Sequence, residues 1–293
     1  MIRLGLVGFG KWGQHYINAA QGVDDVKITA VCRNDISKFP DSFRDSYLVT
    51  SSLAEVLDSG VHGVIIATPP DSHLSLAEAC LKRKIPFLLE KPMALHGTEC
   101  AELVRVATLA DVPFQVNHIH LYAPAYVKLR SIVQSWDSPL YIVSQGGNHG
   151  PFRDYDSFHD YAPHDVAMIL GLFGERTRVS SFNIEALPQK PGGSIFRLTM
   201  NAGSSRSTSY VGNGFQEKHR TLNVISLNTG DCISYNDTAQ FKLLLNGQPL
   251  HYSETSPLVS SIQSFRNMLY GIMDWRTDFD FYNRIYHITA TES

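Results

Sequence analysis

The sequence predicts an α/β protein: a doubly wound parallel sheet first, then an α+β region built on a large, mostly antiparallel sheet. Three observations carry this. The chain opens on an apolar strand pattern, Ile2 to Val7, that runs into Gly8-Phe9-Gly10-Lys11-Trp12-Gly13 and then a helical segment. Apolar, β-branched runs then alternate with helical patterns as far as Asn117, the spacing of parallel strands joined by right-handed crossovers. After that the runs shorten and are punctuated by Gly, Asn and Asp, as in an antiparallel meander.

The bulk properties narrow the class. The 293 residues are 43% hydrophobic and 18% charged, an ordinary globular composition with room for two cores. Twenty-five Lys plus Arg oppose 28 Asp plus Glu, a net charge of −3 without a long basic run. Neither nucleic acid nor an anionic membrane surface is therefore an expected partner. The four cysteines, Cys32, Cys80, Cys100 and Cys232, form no C-x-x-C pair, and reduced thiols in a cytoplasmic protein are expected. The apolar run after Met1 is too short for a signal-peptide core, and no run of about 18 apolar residues suits a membrane span.

Each element of the first half has a local cause. Strand, glycine turn and helix in this order form a dinucleotide fingerprint. Gly8 allows the sharp turn, Gly10 lets backbone approach a pyrophosphate, and Gly13 lets the helix Gln14–Ala20 pack on the strand. Val26–Cys32 is a second strand, and Arg33 stands at its end, where such folds read the adenosine ribose. An Arg there favours a 2′-phosphate and so NADP over NAD; Asp35 would take an acidic role were the strand longer. Leu53–Asp58 is a short helix. Val61–Ala67 is a strand stopped by Thr68-Pro69-Pro70. Asp71-Ser72 caps a helix from His73 to Arg83. Thr68, Pro69 and His73 thus border the cofactor. Strand Pro86–Leu89 delivers Glu90-Lys91-Pro92; helix Thr98–Ala110 and strand Pro113–Asn117 follow.

In the second half, Pro124–Trp136 is helical and Leu140–Gly147 is a strand. A helix is expected to begin at Pro163, where a missing N–H costs nothing, and to reach Phe173. Strands are expected between Arg178 and Ser253, and closing helices over Pro257–Tyr270 and Phe279–Ala290. The expected division is 1–119, a dinucleotide-binding Rossmann domain, and 120–293, a substrate-binding and oligomerisation domain.

The glycine motif, Ala67-Thr68-Pro69-Pro70 with His73, Glu90-Lys91-Pro92, and Asp160-x-x-x-His164-Asp165 together resemble the glucose–fructose oxidoreductase / inositol dehydrogenase / MocA family, in order and spacing from end to end. The closing helices, ending at Ser293, resemble that family's C-terminus. The resemblance implies an NAD(P)-dependent dehydrogenase or reductase acting on a carbinol of a sugar, cyclitol or sugar nucleotide. It places Lys91, Asp160 and His164 at the family's catalytic positions, and implies a homo-oligomer, dimer or tetramer, through the C-terminal sheet. Arg33 stands where many relatives carry Asp, and Asp160-Tyr-Ala-Pro-His164 lacks a glycine common between that Asp and His.

Chemistry supports these roles. Carbinol oxidation needs a base working near neutral pH, which suits His164, and a cation beside the developing alkoxide, which suits Lys91. Asp160, four residues earlier, can orient the ring or bond the substrate. The expected cofactor contacts are Gly8, Phe9, Gly10, Lys11, Trp12, Gly13, Arg33, Thr68, Pro69, His73, Glu90 and Lys91. Substrate contacts are Lys91, His118, Asn148, His149, Arg153, Asp160 and His164, with Asn117, His120 and Tyr122 as further polar groups. No metal is expected. A hydrolase using His118, His120, His149 and His159 as metal ligands leaves the glycine motif unexplained. A non-catalytic sensor leaves Lys91, Asp160 and His164 unexplained. A redox-assisted glycosidase with tightly held NAD is a variant of the main reading.

Overall fold

Strand β1 (Ile2–Val7) is apolar at nearly every position because elements cover both of its faces; only Arg3 is exposed. The computed structural model describes residues 1–174, 177–188, 193–273 and 275–290. In the first half, helix α1 (Lys11–Ala20) and strands β2 (Val26–Cys32) and β3 (Leu48–Thr50) are followed by α2 (Leu53–Asp58) and β4 (Gly63–Ile66). Then come α3 (His73–Lys82), β5 (Phe87–Glu90), α4 (Gly97–Ala110) and β6 (Phe114–Asn117). The six strands form one sheet in the order β3-β2-β1-β4-β5-β6, and every pairing is parallel. The order reverses beside β1, so the crevice beyond its C-terminal end is where such sheets bind ligands. Helix α1 starts at Lys11 rather than Gln14, so the second half of the glycine motif is already helical. The three-residue β3, with only Thr50 buried, carries too little pattern to read from sequence.

In the second half, α5 (Pro124–Gln134), β7 (Leu140–His149) and α6 (Ser157–Phe173) precede seven short strands. These are β8 (Ser181–Ala186), β9 (Ile195–Ala202), β10 (Ser205–Gly212), β11 (Gly214–Ser226), β12 (Cys232–Asn236), β13 (Leu243–Leu245) and β14 (Gln248–Pro249). With β7 they form an eight-stranded sheet, order β14-β13-β12-β11-β7-β10-β9-β8. It is antiparallel except where β10 runs parallel to β7. Side chains alternate along β7: Ile142 and Ser144 are buried, while Tyr141, Val143 and Gln145 are not. The buried row is small and polar where α6 crosses it, and Ser144 Oγ donates to Ser209 Oγ at 2.8 Å. A Cβ at Gly146 would strike the Asp165 carboxylate and the Arg220 guanidinium, the ion pair joining α6 to β11.

Helix α6 begins six residues before Pro163. Asp156 caps it by accepting from the Phe158 N–H at 2.8 Å, and Pro163 lies inside the helix. The expected start at Pro163 is thus corrected, and Asp160 and His164 share one helix, one turn apart.

Two helices close the fold, α7 (Pro257–Leu269) and α8 (Arg276–Thr289). Contacts group Ser256–Tyr286 with Met1–Asn117 as one compact unit, and His118–Thr255 with His287–Thr289 as the other. The division expected from the sequence puts all of 120–293 in the second domain. The reason for the difference is apolar cover for the parallel sheet. The Phe265 ring lies against Gly63, and Phe114 packs on Phe279 and Tyr282 with centroids 4.6 and 5.6 Å apart. On edge strand β6 the Val116 N–H donates to the Tyr282 hydroxyl at 3.0 Å. The end of the chain at Ser293 lies outside the described residues. Among those described, no helix is long and apolar enough to cross a membrane.

Candidate functional site

The glycine turn is built to bring backbone close to a ligand. Gly8 has φ +98°, and a Cβ there would sit 2.5 Å from the Ala67 carbonyl oxygen. A Cβ on Gly13 would run into the Gly8 carbonyl, so α1 approaches the turn only with glycine at that position. Gly10 differs: a Cβ there would meet nothing within 4 Å, which leaves open space directly above the helix start. Gly10 is also the N-cap, with no side chain closing the first-turn amides and no acidic residue beside them. Unclosed amides at a positive helix end, under an open glycine, fit a pyrophosphate. The residues present therefore fit a bound dinucleotide.

Beside this turn, Arg33 follows β2 and lays its guanidinium over the rings of Phe9 and Phe39, 6.0 and 5.6 Å from their centroids. Phe9 in turn packs on Phe39 and Phe43 at 4.9 and 5.0 Å, and Phe43 on Tyr47 at 4.9 Å. Planar cation and aromatic faces hold the arginine at the strand end. Asp35 is engaged elsewhere: its carboxylate accepts from the Ser37 N–H and hydroxyl and pairs with Lys38 at 3.5 Å. Phe9 is buried at 7%, and its side chain packs the turn. Trp12 and Lys11 are exposed at the head of α1.

Two residues expected to touch the cofactor lie in the interior and bond within the protein. His73 is fully buried; its Nδ1 lies 2.9 Å from the Pro92 carbonyl oxygen and its Nε2 2.9 Å from that of Thr68. Burial pushes its pKa down, against the pull of those carbonyls. The ring braces the loop after β4 to the loop after β5. Glu90 is likewise 7% exposed, and its Oε1 accepts from the Tyr16 hydroxyl at 2.6 Å and from Asn117 Nδ2 at 2.7 Å. Burial raises its pKa, opposed by those bonds and by the Lys91 charge. Both brace the interior: His73 through its two ring nitrogens and Glu90 through Oε1. Thr68 and Pro69 remain at the strand edge, where Thr68 Oγ1 accepts from Ser72 Oγ at 2.7 Å. Lys91 is the first residue past β5, half-buried, with a cis bond to Pro92.

In the second unit, Asp160 and His164 are both buried, at 5% and 8% exposure. Arg153 Nε donates to Asp160 Oδ2 at 2.8 Å, so this arginine holds the aspartate. The His164 ring meets the His120 ring edge-on, centroids 4.7 Å apart. His118 is fully buried. Asn148 is turned onto its neighbour, accepting from the His149 N–H at 2.9 Å, and His149 is exposed with its ring against Phe152. Burial raises the phenol pKa of Tyr155 to about 12, with the Asp160 charge adding to it. Among the described residues no three His, Cys, Asp or Glu side chains gather as a metal-binding group, so His118, His120, His149 and His159 do not form one.

Tyr16, Ser261 and Arg220 escaped the sequence reading. Tyr16 is a lone phenol on the buried stripe of α1, alongside Gly13, Ile17 and Ala20, and that was the only local sign of a buried acceptor opposite. Ser261 and Arg220 meet their partners across 144 and 55 residues, separations that no local pattern reveals.

Residues 2–118 match the Gfo/Idh/MocA family, described as an oxidoreductase family with an NAD-binding Rossmann fold. Among curated relatives, the rhizopine catabolism protein MocA of Rhizobium meliloti is 29% identical over 145 residues, 49% of this chain and 46% of that protein. Inositol 2-dehydrogenase 2 of Paenarthrobacter aurescens is 28% identical over 185 residues, 59% of this chain and 56% of that one. The chain thus spans about half the length of these relatives. A crystal structure from Magnetospirillum magnetotacticum MS-1 superposes with a TM-score of 0.86 at 25% identity, covering 98% of both chains. UDP-N-acetylglucosamine 3-dehydrogenase of Acidithiobacillus ferrooxidans superposes with a TM-score of 0.79 over 99% of this chain and 97% of that one; at 17% identity it shows the fold alone.

Proposed function

We propose that the chain is a member of the Gfo/Idh/MocA oxidoreductase family, whose Rossmann-domain model matches residues 2–118, and that it is an NAD(P)-dependent dehydrogenase or reductase of a carbinol in a sugar, cyclitol or sugar nucleotide. The observation that carries this reading is the open cradle over Gly10 at the head of α1, beyond the C-terminal edge of a parallel sheet. Relatives named for inositol and UDP-N-acetylglucosamine oxidation support the substrate class.

When bound, the dinucleotide supplies the acceptor or donor of a hydride. The protein's own residues do the rest. The amides at the head of α1 hold the pyrophosphate. In the oxidation direction His164 takes the hydroxyl proton while Lys91 stabilises the alkoxide-like oxygen, and Asp160, gripped by Arg153, fixes His164 or the substrate. kcat/KM for oxidation then rises with pH through one ionisation of the free enzyme. A screen of myo-inositol, glucose and UDP-N-acetylglucosamine with NAD and NADP at several pH values tests the reading. With the best substrate, His164→Ala and Lys91→Ala each lower kcat by about 10²-fold or more while dinucleotide affinity stays within a few-fold. A His164→Ala variant that keeps most of its kcat at neutral pH refutes the assignment.

Cofactor choice rests on Arg33. The stacked guanidinium favours a 2′-phosphate, so NADP is expected to bind more tightly than NAD, and salt to weaken NADP binding more. Arg33→Asp reverses the preference in fluorescence titrations. Equal affinities in wild type, unchanged by the substitution, make the arginine a bystander.

A further inference from the structure

Glu90 sits at the centre of a buried polar cluster in the first unit that the proposed reaction does not use directly. Its Oε1 accepts from Tyr16 on α1 and from Asn117, the residue paired with it in register across β5 and β6. Asn117 Nδ2 also donates to the Tyr16 oxygen at 2.8 Å, and Asn117 Oδ1 accepts from Ser261 Oγ of α7 at 2.9 Å. Gln115 Nε2 completes the chain by donating to Ser261 Oγ at 3.0 Å. Tyr16, Gln115, Asn117 and Ser261 are each no more than 2% exposed. Tyr16 and Asn117 are thus both donors to Glu90, and an ionised carboxylate is the side chain that offers acceptors alone. Taking that charge out of water is costly, and a hydrophobic or amide residue would avoid the cost. The site retains a carboxylate nonetheless, immediately before the lysine.

We propose that Glu90 is a positioning residue for Lys91: clamped by Tyr16 and Asn117, it fixes the end of β5 and the direction in which the lysine leaves the strand. This rests on the reading of Lys91 as the group that stabilises the substrate oxygen. The clamp also links that lysine to α1, whose first turn forms the dinucleotide cradle. Glu90→Gln is the informative change. The amide keeps the volume but turns an N–H₂ towards one or more of these donors, so the clamp loosens although the desolvation cost disappears. Stability and turnover therefore move in opposite directions, which a purely structural role would not produce.

The expected result is that Glu90→Gln melts at or above wild type at pH 8 yet loses about tenfold in kcat, with substrate KM and dinucleotide Kd within threefold. Tyr16→Phe has a smaller effect of the same sign on kcat. In the Lys91→Met background, adding Glu90→Gln costs less than about twofold, because the glutamate acts through the lysine. A readout on the apo protein comes from labelling with pyridoxal 5′-phosphate and borohydride, followed by peptide mapping. The Lys91 rate relative to exposed Lys82 changes at least about threefold in Glu90→Gln. The proposal is overturned if Glu90→Gln keeps kcat within twofold and leaves the labelling ratio unchanged, or if activity falls only in step with melting temperature. If Lys91→Met itself keeps wild-type kcat, the reading of the lysine fails and the proposal falls with it. If Lys91→Met is inactive while Glu90→Gln is fully active, only the proposal fails.

Discussion

A single carboxylate can be stabilised or penalised by its surroundings, and Asp237 shows the opposite balance from Glu90. Burial pushes the Asp237 carboxyl up, but hydrogen bonds and charge from Lys218 and Lys242, each 3.0 Å away, outweigh it and bring its pKa down to about 2. A depressed carboxyl contributes stability above its ordinary pKa and loses it as pH falls through the folded value. Asp237→Asn is therefore expected to cost about 1–2 kcal/mol at pH 7, reduced from the full shift because both lysines are half in solvent. Denaturant titrations should show the gap closing between pH 4 and pH 2. A gap independent of pH would mean that the aspartate acts through packing alone. For Glu90, whose pKa burial raises, the sign is reversed: its contribution is most favourable below pH 4.5 and turns adverse as the group ionises.

At the level of elements, helix α6 depends on close approach to the sheet. Gly146→Ala would place a methyl into the Asp165–Arg220 ion pair, so a loss of about 3 kcal/mol or more is expected from overpacking and a broken buried pair. Asp165→Ala with Arg220→Ala in the alanine background tests the cause, since removing both clashing side chains together, with no charge left unpaired, should recover part of the loss; no recovery would point to backbone distortion. Helix α6 also shows why some boundaries were legible and others not. The glycine turn, the strands around it and the position of Lys91 past β5 were readable because each depends on residues within one turn or strand. The start of α6 was not. Thirteen of its 17 residues are buried, so no polar stripe marked the helical period, and Pro163 looked like a beginning. Tertiary burial overrode the local preference. His73 and Glu90 were read as cofactor contacts for a related reason: sequence shows a polar residue near a strand end but not whether its atoms are already bonded.

Across the whole molecule, the eight-stranded sheet has one face under α6 and another that is only half-buried, with Tyr141, Val143, Thr208, Tyr210 and Ile225 among its side chains. We propose that this face pairs with its counterpart in a second copy. Wild-type protein is then a dimer or tetramer by light scattering, and Val143→Glu with Thr208→Glu, neighbours across β7 and β10, shifts it to monomer with its melting temperature nearly unchanged. A wild type that is monomeric at all concentrations removes the proposal. The chain's path has a further consequence. The unit that begins at Met1 is finished by Ser256–Tyr286, so everything between is, in effect, a long parenthesis within it. On the ribosome, the parallel sheet emerges with Gly63 and Phe114 in place but without Phe265 to cover the first and Phe279 and Tyr282 to cover the second. At about 5–20 residues per second, the intervening stretch takes about seven to thirty seconds to make. The segment synthesised first is thus completed last, and the nascent chain carries an uncovered apolar face for that interval.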